Sequence, residues 1–108
     1  MTVQQLITAC GFTAAALPDP DREVTGVYIG DLLSWVMGRA GADQAWITIM
    51  SNRNIVAVAT LADTACILLA EGVSPDEGVA DLAAQKCVNI LQSPESAYQI
   101  ALRLRDAL

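Results

Sequence analysis

Four times along this chain an apolar run stops at a short loop of small polar residues, and a helical pattern begins directly afterwards. The junctions are Val27-Tyr28-Ile29 into Gly30-Asp31, Trp46-Ile47-Thr48-Ile49-Met50 into Ser51-Asn52-Arg53-Asn54, Cys66-Ile67-Leu68-Leu69 into Glu71-Gly72-Val73-Ser74-Pro75, and Val88-Asn89-Ile90-Leu91 into Ser93-Pro94-Glu95. Strands that alternate with helices are joined by crossovers, and crossovers make neighbouring strands parallel. The expectation is one α/β domain over residues 1–108, a mostly parallel sheet of about four to five strands with crossover helices on both faces. In open sheets of this kind ligands settle beyond the carboxyl ends of the strands. The four loops therefore mark a candidate site before any chemical motif is considered.

The remaining elements follow from caps and periodicity. Thr2 is placed to cap a first helix in which Val3, Leu6, Ile7 and Cys10 recur at helical spacing, with Gly11 as its stop. Phe12 to Leu17 is a weak strand candidate, Pro18-Asp19-Pro20-Asp21 a turn beside a solvated charged corner, and Val24 to Ile29 a strand. Asp31 is positioned to cap a helix from Leu32 to Arg39, and Asn52 or Asn54 to cap one reaching about Asp63 after a strand at Ala45 to Met50. Ser74-Pro75-Asp76-Glu77 is the most explicit helix start, with Ser as N-cap, Pro at the first turn and Glu closing a capping box. That helix ends near Lys86, Cys87 to Leu91 is a strand, and Ser93-Pro94-Glu95 opens a last helix striped by Ala97, Ile100, Ala101, Leu104 and Leu108.

Charge and residue usage remove several functional classes. Twelve acids against six bases give a net charge of −6, and Arg53 is the only base between Arg39 and Lys86. Nucleic-acid binding needs clustered Lys and Arg, so it is not expected. No apolar run nears the ~20 residues of a membrane helix, and no cationic leader precedes the first helix, so a cytoplasmic protein is expected. There is no histidine, and the cysteines at 10, 66 and 87 have no Cys-x-x-Cys spacing. Zinc ligation and His-based catalysis lose their usual groups, and the cysteines read as reduced, buried packing. Phosphate-cradling glycine motifs are missing as well. Asp31 and Glu71 have neither nucleophile nor base beside them, so the reading is a non-enzyme with no cofactor and no metal.

Two helical segments are unusually apolar: Ile55-Val56-Ala57-Val58-Ala59-Thr60-Leu61-Ala62 on every side, and Leu32-Leu33-Ser34-Trp35-Val36-Met37 on most. A helix apolar all round must be covered all round. A small sheet covers one side only, so the expectation is a homodimer with Trp35, Met37, Ile55 and Val58 in the interface; the alternative is that the two helices pack side by side and expose mostly Ala and Ser.

The loop Ser51-Asn52-Arg53-Asn54 follows a strand, opens a helix and surrounds one guanidinium with amide and hydroxyl groups. Helix-start N–H groups and a planar guanidinium favour an anion there. The competing reading is local: Asn as a cap, and Arg53 paired with Asp31 or Glu71. Asp31 could equally cap a helix or accept from a ligand hydroxyl, and Gly72 supplies a positive φ or a close backbone approach. The candidate ligand set is Gly30, Asp31, Ser51, Asn52, Arg53, Asn54, Glu71, Gly72 and Ser74.

With these residues in place, the chain resembles the DRTGG domain family from about Val3 to Leu108. Val27-Tyr28-Ile29-Gly30-Asp31 matches the family's strand ending in Gly-Asp before a helix. Ser51-Asn52-Arg53-Asn54 falls where the family carries Asp-Arg-Thr, and Leu69-Ala70-Glu71-Gly72 where its strand ends in Thr-Gly-Gly. Asn52 stands in place of the acid, Asn54 of the threonine and Glu71 of the first glycine, leaving Arg53 and Gly72 of the namesake letters. A carboxylate at 71 repels phosphate unless Arg53 or a metal offsets it. The family accompanies CBS or acyltransferase domains, in one setting a pyrophosphatase under adenine-nucleotide control, and this chain is similar to its stand-alone members. The resemblance implies a regulatory domain that binds a small anionic metabolite, such as an adenine nucleotide, at the strand ends of a homodimer. The alternative is an interaction subunit that docks on an enzyme complex through its apolar helices and takes no small ligand.

Overall fold

A parallel sheet laid down strand beside strand in one direction puts every crossover on the same face, because crossovers are right-handed. The computed structural model, which describes residues 1–108, shows this arrangement. Its elements are α1 (Val3–Cys10), β1 (Thr13–Ala16), β2 (Gly26–Ile29), α2 (Leu33–Arg39), β3 (Gln44–Thr48), α3 (Asn54–Ala62), β4 (Cys66–Leu69), α4 (Val79–Gln85), β5 (Ile90–Gln92) and α5 (Ala97–Ala107). The five strands lie in the order β1-β5-β4-β3-β2. β2 to β5 are mutually parallel, and β1 runs antiparallel to β5 with Thr13 opposite Gln92.

Side chains of a strand alternate between faces, and the two cores follow from that. Trp46, Ile67, Leu69 and Ile90 point to the layer of α2, α3 and α4, where they meet Val36, Ile55, Val56 and Ala83. Ala45, Ile47, Cys66, Leu68 and Leu91 point the other way, onto Val3 and Leu6 of α1 and Ile100 and Leu104 of α5. Helices thus cover both faces. The three crossovers share one, and the two terminal helices close the other.

This layering corrects the reading of α3. The helix is apolar all round because it is the middle one of three: it packs on β4 below and on α2 and α4 at its sides. Ile55 and Val58 are 0 % and 5 % exposed inside the protomer, so neither is available to a dimer interface. α2 lies at the flank instead, and leaves Trp35 53 % and Met37 45 % exposed while burying Val36.

Several element starts also differ from expectation. Thr2 caps α1 in a full capping box with Gln5, and Gly11 ends it in the left-handed region, as its sequence implies. The Ser74-Pro75-Asp76-Glu77 signal does not start α4, which begins at Val79 behind Gly78 with φ 82° and no side-chain cap. Asp76 is engaged elsewhere: its carboxylate accepts from the Ser51 hydroxyl at 2.8 Å and its N–H donates to the Ser51 carbonyl at 2.9 Å. The final helix is capped by Ser96 with Gln99 rather than by Ser93. The Ser93 N–H donates to the Leu69 carbonyl and continues the β4–β5 pairing outward.

Two polar clamps hold the long β1–β2 connection. Buried Asn89 accepts from the Asp19 N–H at 3.0 Å and donates to the carbonyls of Asp19 at 2.8 Å and Ala65 at 3.0 Å. Arg22 is half-buried rather than solvated, and it bridges Asp43 at 2.8 Å and Asp63 at 3.0 Å, both at positive φ. All three cysteines are free thiols. Burial pushes the Cys66 thiol up to about 12, with Arg22 acting weakly in the opposite direction. Burial also raises Cys10, opposed by Arg103. Cys87, expected in the core, is exposed instead, in a turn at φ 59°.

Candidate ligand site at the strand ends

The loops after β2, β3, β4 and β5 do gather on one rim, because four parallel strands end there. Neighbouring strands lie ~4.8 Å apart, so the loop after β2 sits roughly 10 Å along the rim from the loop after β4. Gly30-Asp31 and Glu71-Gly72 are therefore on one edge without touching.

Most of the expected ligand groups bind the fold itself. Asp31 does not cap α2, whose N-cap is Leu32 without a side-chain bond. Its Oδ1 accepts from the Thr48 hydroxyl at 2.7 Å and the Ile49 N–H at 3.0 Å, which ties the β2 loop to the end of β3. Packing favours glycine at position 30: a Cβ there would lie 2.9 Å from the Tyr28 ring, which would have to move. Its carbonyl also accepts from the Trp46 indole N–H at 2.8 Å. Ser51 is tied to Asp76, and the Asn52 side chain accepts from the Asn54 N–H at 2.9 Å in a turn that leads into α3. Glu71 and Gly72 both adopt the left-handed conformation, at φ 61° and 73°. Their N–H groups donate to the carbonyls of Glu95 at 2.8 Å and Ser93 at 3.0 Å. A Cβ at Gly72 would meet nothing within 4 Å, so its need for glycine is conformational and not one of close approach. Ser74 is exposed and accepts from Gln92 at 3.3 Å.

Arg53 is the exception. It forms no ion pair, with Asp31 and Glu71 or with any other acid, whereas Arg22, Arg103 and Arg105 are all paired. It stands at the start of α3 with Asn54 and opens onto the largest cavity of the molecule, about 520 Å³. That trough runs between α3 and α4 and is lined also by Val56, Ala57, Thr60, Leu61, Leu82 and Lys86.

A second, smaller notch lies at the outer end of β5, where the hydrogen-bonded loops after β4 and β5 meet edge strand β1. It is about 220 Å³ and is lined by Thr13, Gly72, Gln92, Ser93 and Pro94, without a charged side chain. Ligand pockets generally run from about 300 to 1,000 Å³, which favours the trough over the notch. Neither Thr13, Gln92, Leu82 nor Lys86 belonged to the expected set. Each joins a site through strand order or helix neighbourhood, which local sequence does not carry. No group of three or more His, Cys, Asp or Glu residues is arranged to hold a metal ion, and no helix is long and apolar enough to cross a membrane.

The family model described as the DRTGG domain matches residues 19–107. The chain belongs to the DRTGG domain family. A solved structure agrees on the fold. This DRTGG domain superimposes, with a TM-score of 0.76 at 11 % identity, on a crystal structure of the CBS and DRTGG domains from the regulatory region of Clostridium perfringens pyrophosphatase. That protein is complexed with its activator, diadenosine tetraphosphate. The match covers 99 % of this chain and 47 % of the other, so the chain spans about half the length of the protein it resembles. No curated protein matches it. Within the DRTGG frame, Arg53 holds the start of α3 and Gly72 the turn after β4, while Glu71 takes a backbone conformation that glycine adopts freely.

Proposed function

We propose that this DRTGG domain is a non-catalytic regulatory module that senses a small anionic metabolite of the adenine-nucleotide class and works as a homodimer. The observation that carries the reading is Arg53: an exposed guanidinium without an acid partner, in a chain with twelve acids and six bases. It stands at the amino end of a helix, where the dipole also favours negative charge. The nucleotide class is supported by the regulatory setting of the Clostridium perfringens relative and its dinucleotide activator. Arg53 would bind the anion, Asn54 would orient it, and the unshared oxygen of Asp31 would accept a hydroxyl.

Isothermal titration and thermal shift with AMP, ADP, ATP and diadenosine tetraphosphate test this. Wild type is expected to bind at least one of them, and Arg53→Ala to lose about 10- to 100-fold, the value of a charge-assisted hydrogen bond. No heat and no melting shift with any of the four removes the sensor. The dimer would form through Trp35 and Met37 together with exposed Ile29, Leu32 and Ile49, which belong to edge strand β2, the loop and helix that follow it and the end of β3. A sharp monomer peak by size exclusion with light scattering at micromolar protein removes that part.

A second reading is supported by the same apolar set and by the rim's internal bonding: a docking subunit with no small ligand. It predicts an unresponsive nucleotide titration together with a stable dimer or complex that Trp35→Ala dissociates.

A further inference from the structure

We infer that the trough between α3 and α4 is a binding site for an elongated organic dianion with an apolar middle, held by Arg53 at one end and Lys86 at the other. The inference rests on the anion-sensing reading for Arg53 and adds the far cation, the floor and the shape of the ligand.

The distribution of charge is the first support. Arg22, Arg103 and Arg105 are ion-paired, and Arg39 stacks on the Trp35 ring at 3.8 Å. Arg53 and Lys86 are the two bases with neither kind of partner, and both line this one cavity. No acid lines it, although acids outnumber bases two to one in the chain. Neither cation is ion-paired and no acid lines the trough, so in a molecule of net charge −6 this is a place where an anion finds two free cations.

Shape is the second support. α3 follows β3 and α4 follows β4, and the two strands are parallel, so both helices run away from the rim. Arg53 precedes α3 and Lys86 caps the end of α4, which puts the two charges at opposite ends of the trough. The stretch from Arg53 to Leu61 rises ~12 Å at 1.5 Å per residue. Between the charges lie Val56, Ala57, Leu61 and Leu82, and Leu61 is 70 % exposed with nothing covering it. The Thr60 hydroxyl already donates to the Val56 carbonyl at 3.0 Å, so the middle offers no competing donor. A volume of about 520 Å³ suits a small molecule. A ligand with all its charge at one end engages one cation, whereas one with an acidic group at each end engages both.

The test is an amide-resolved NMR titration of the full chain with decanedioate, whose extended length spans the trough, against decanoate and against ATP. Decanedioate is expected to shift the amides of residues 53–61 and 82–86 and to bind about tenfold tighter than decanoate. Lys86→Glu and Arg53→Glu should each weaken it by at least about tenfold, and Ala57→Trp, which fills an exposed position of the floor, should abolish it. Shifts elsewhere only, equal affinity for the two fatty acids, or indifference to Lys86→Glu overturns the inference. Should ATP bind in an Arg53-dependent way that Lys86→Glu and Ala57→Trp leave unchanged, the trough falls and the nucleotide sensor stands. Should decanedioate bind as described while no nucleotide does, the opposite holds.

Discussion

Replacing Glu71 by glycine is expected to stabilise this domain while removing a carboxylate from the strand-end rim. Glu71 sits at φ 61°, followed by Gly72 at φ 73°, and both N–H groups are anchored to the β5 loop, so the backbone has no freedom to relax. A left-handed conformation costs a residue with a Cβ about 1–2 kcal/mol. Glycine removes that cost but returns about 0.5–1 kcal/mol as extra freedom of the unfolded chain. The net gain is about 0.5–1 kcal/mol, or roughly 2–6 °C in melting temperature for a domain of this size. Glu71→Ala is the control, since it deletes the charge but keeps the Cβ and hence the strain. Thermal and urea unfolding of the three proteins separate the contributions: Glu71→Gly should exceed Glu71→Ala by the full amount, while Glu71→Ala stays close to wild type. If the glycine variant melts with or below the alanine variant, the strain assigned to position 71 is not there. Should the anion bind near the loop after β4, both variants also bind it more tightly than wild type, because a like charge is gone.

Asn89→Ala removes three hydrogen bonds; the half-buried Asp19 N–H and the buried Ala65 carbonyl lose this partner, while the Asp19 carbonyl keeps the Arg22 N–H at 3.3 Å. A loss of about 2–4 kcal/mol by urea unfolding is expected, a large part of the ~5–15 kcal/mol that holds a domain together. Alkaline pH should weaken the fold through Cys66. Its folded pKa of about 12 lies above the ordinary 9.0, so the native state retains a proton that the unfolded chain releases first. This stabilisation is complete below about pH 9 and lost as pH rises toward 12, up to about 4 kcal/mol; Cys66→Ala should flatten the pH dependence of urea midpoints in that window. Under native conditions a thiol reagent should modify exposed Cys87 quickly, and buried Cys66 only at the rate of unfolding.

What the sequence announces here is local. The junctions after Ile29, Met50, Leu69 and Leu91 mark four real strands; β3 and β4 read as apolar runs because both their faces are buried, whereas β2 is a half-exposed edge strand and β5 is shorter than its apolar run, starting at Ile90 instead of Cys87. Thr2, Gly11 and Gly72 act as their chemistry dictates, because caps and positive φ are decided within a few residues. The failures all involve a distant partner. The Ser74 helix start is strong in isolation and is overridden by the Ser51–Asp76 pair. Asp31 is a good cap by type, yet Thr48 and Ile49 claim its oxygen. Ile55 and Val58 look like an interface only until α2 and α4 are placed beside α3. The same limit governs the candidate site. Arg53 is visible as an isolated cation, but its companion Lys86 lies on the next helix of the layer, and no spacing rule links them.

The two terminal helices rest against each other on the same side of the sheet. A polypeptide that enters through α1 and departs through α5 does both from that flank, so the domain can be spliced into a longer protein as a cassette hung from one wall. Tethers and neighbours would crowd that wall and leave the opposite layer, α2 to α4, turned outward.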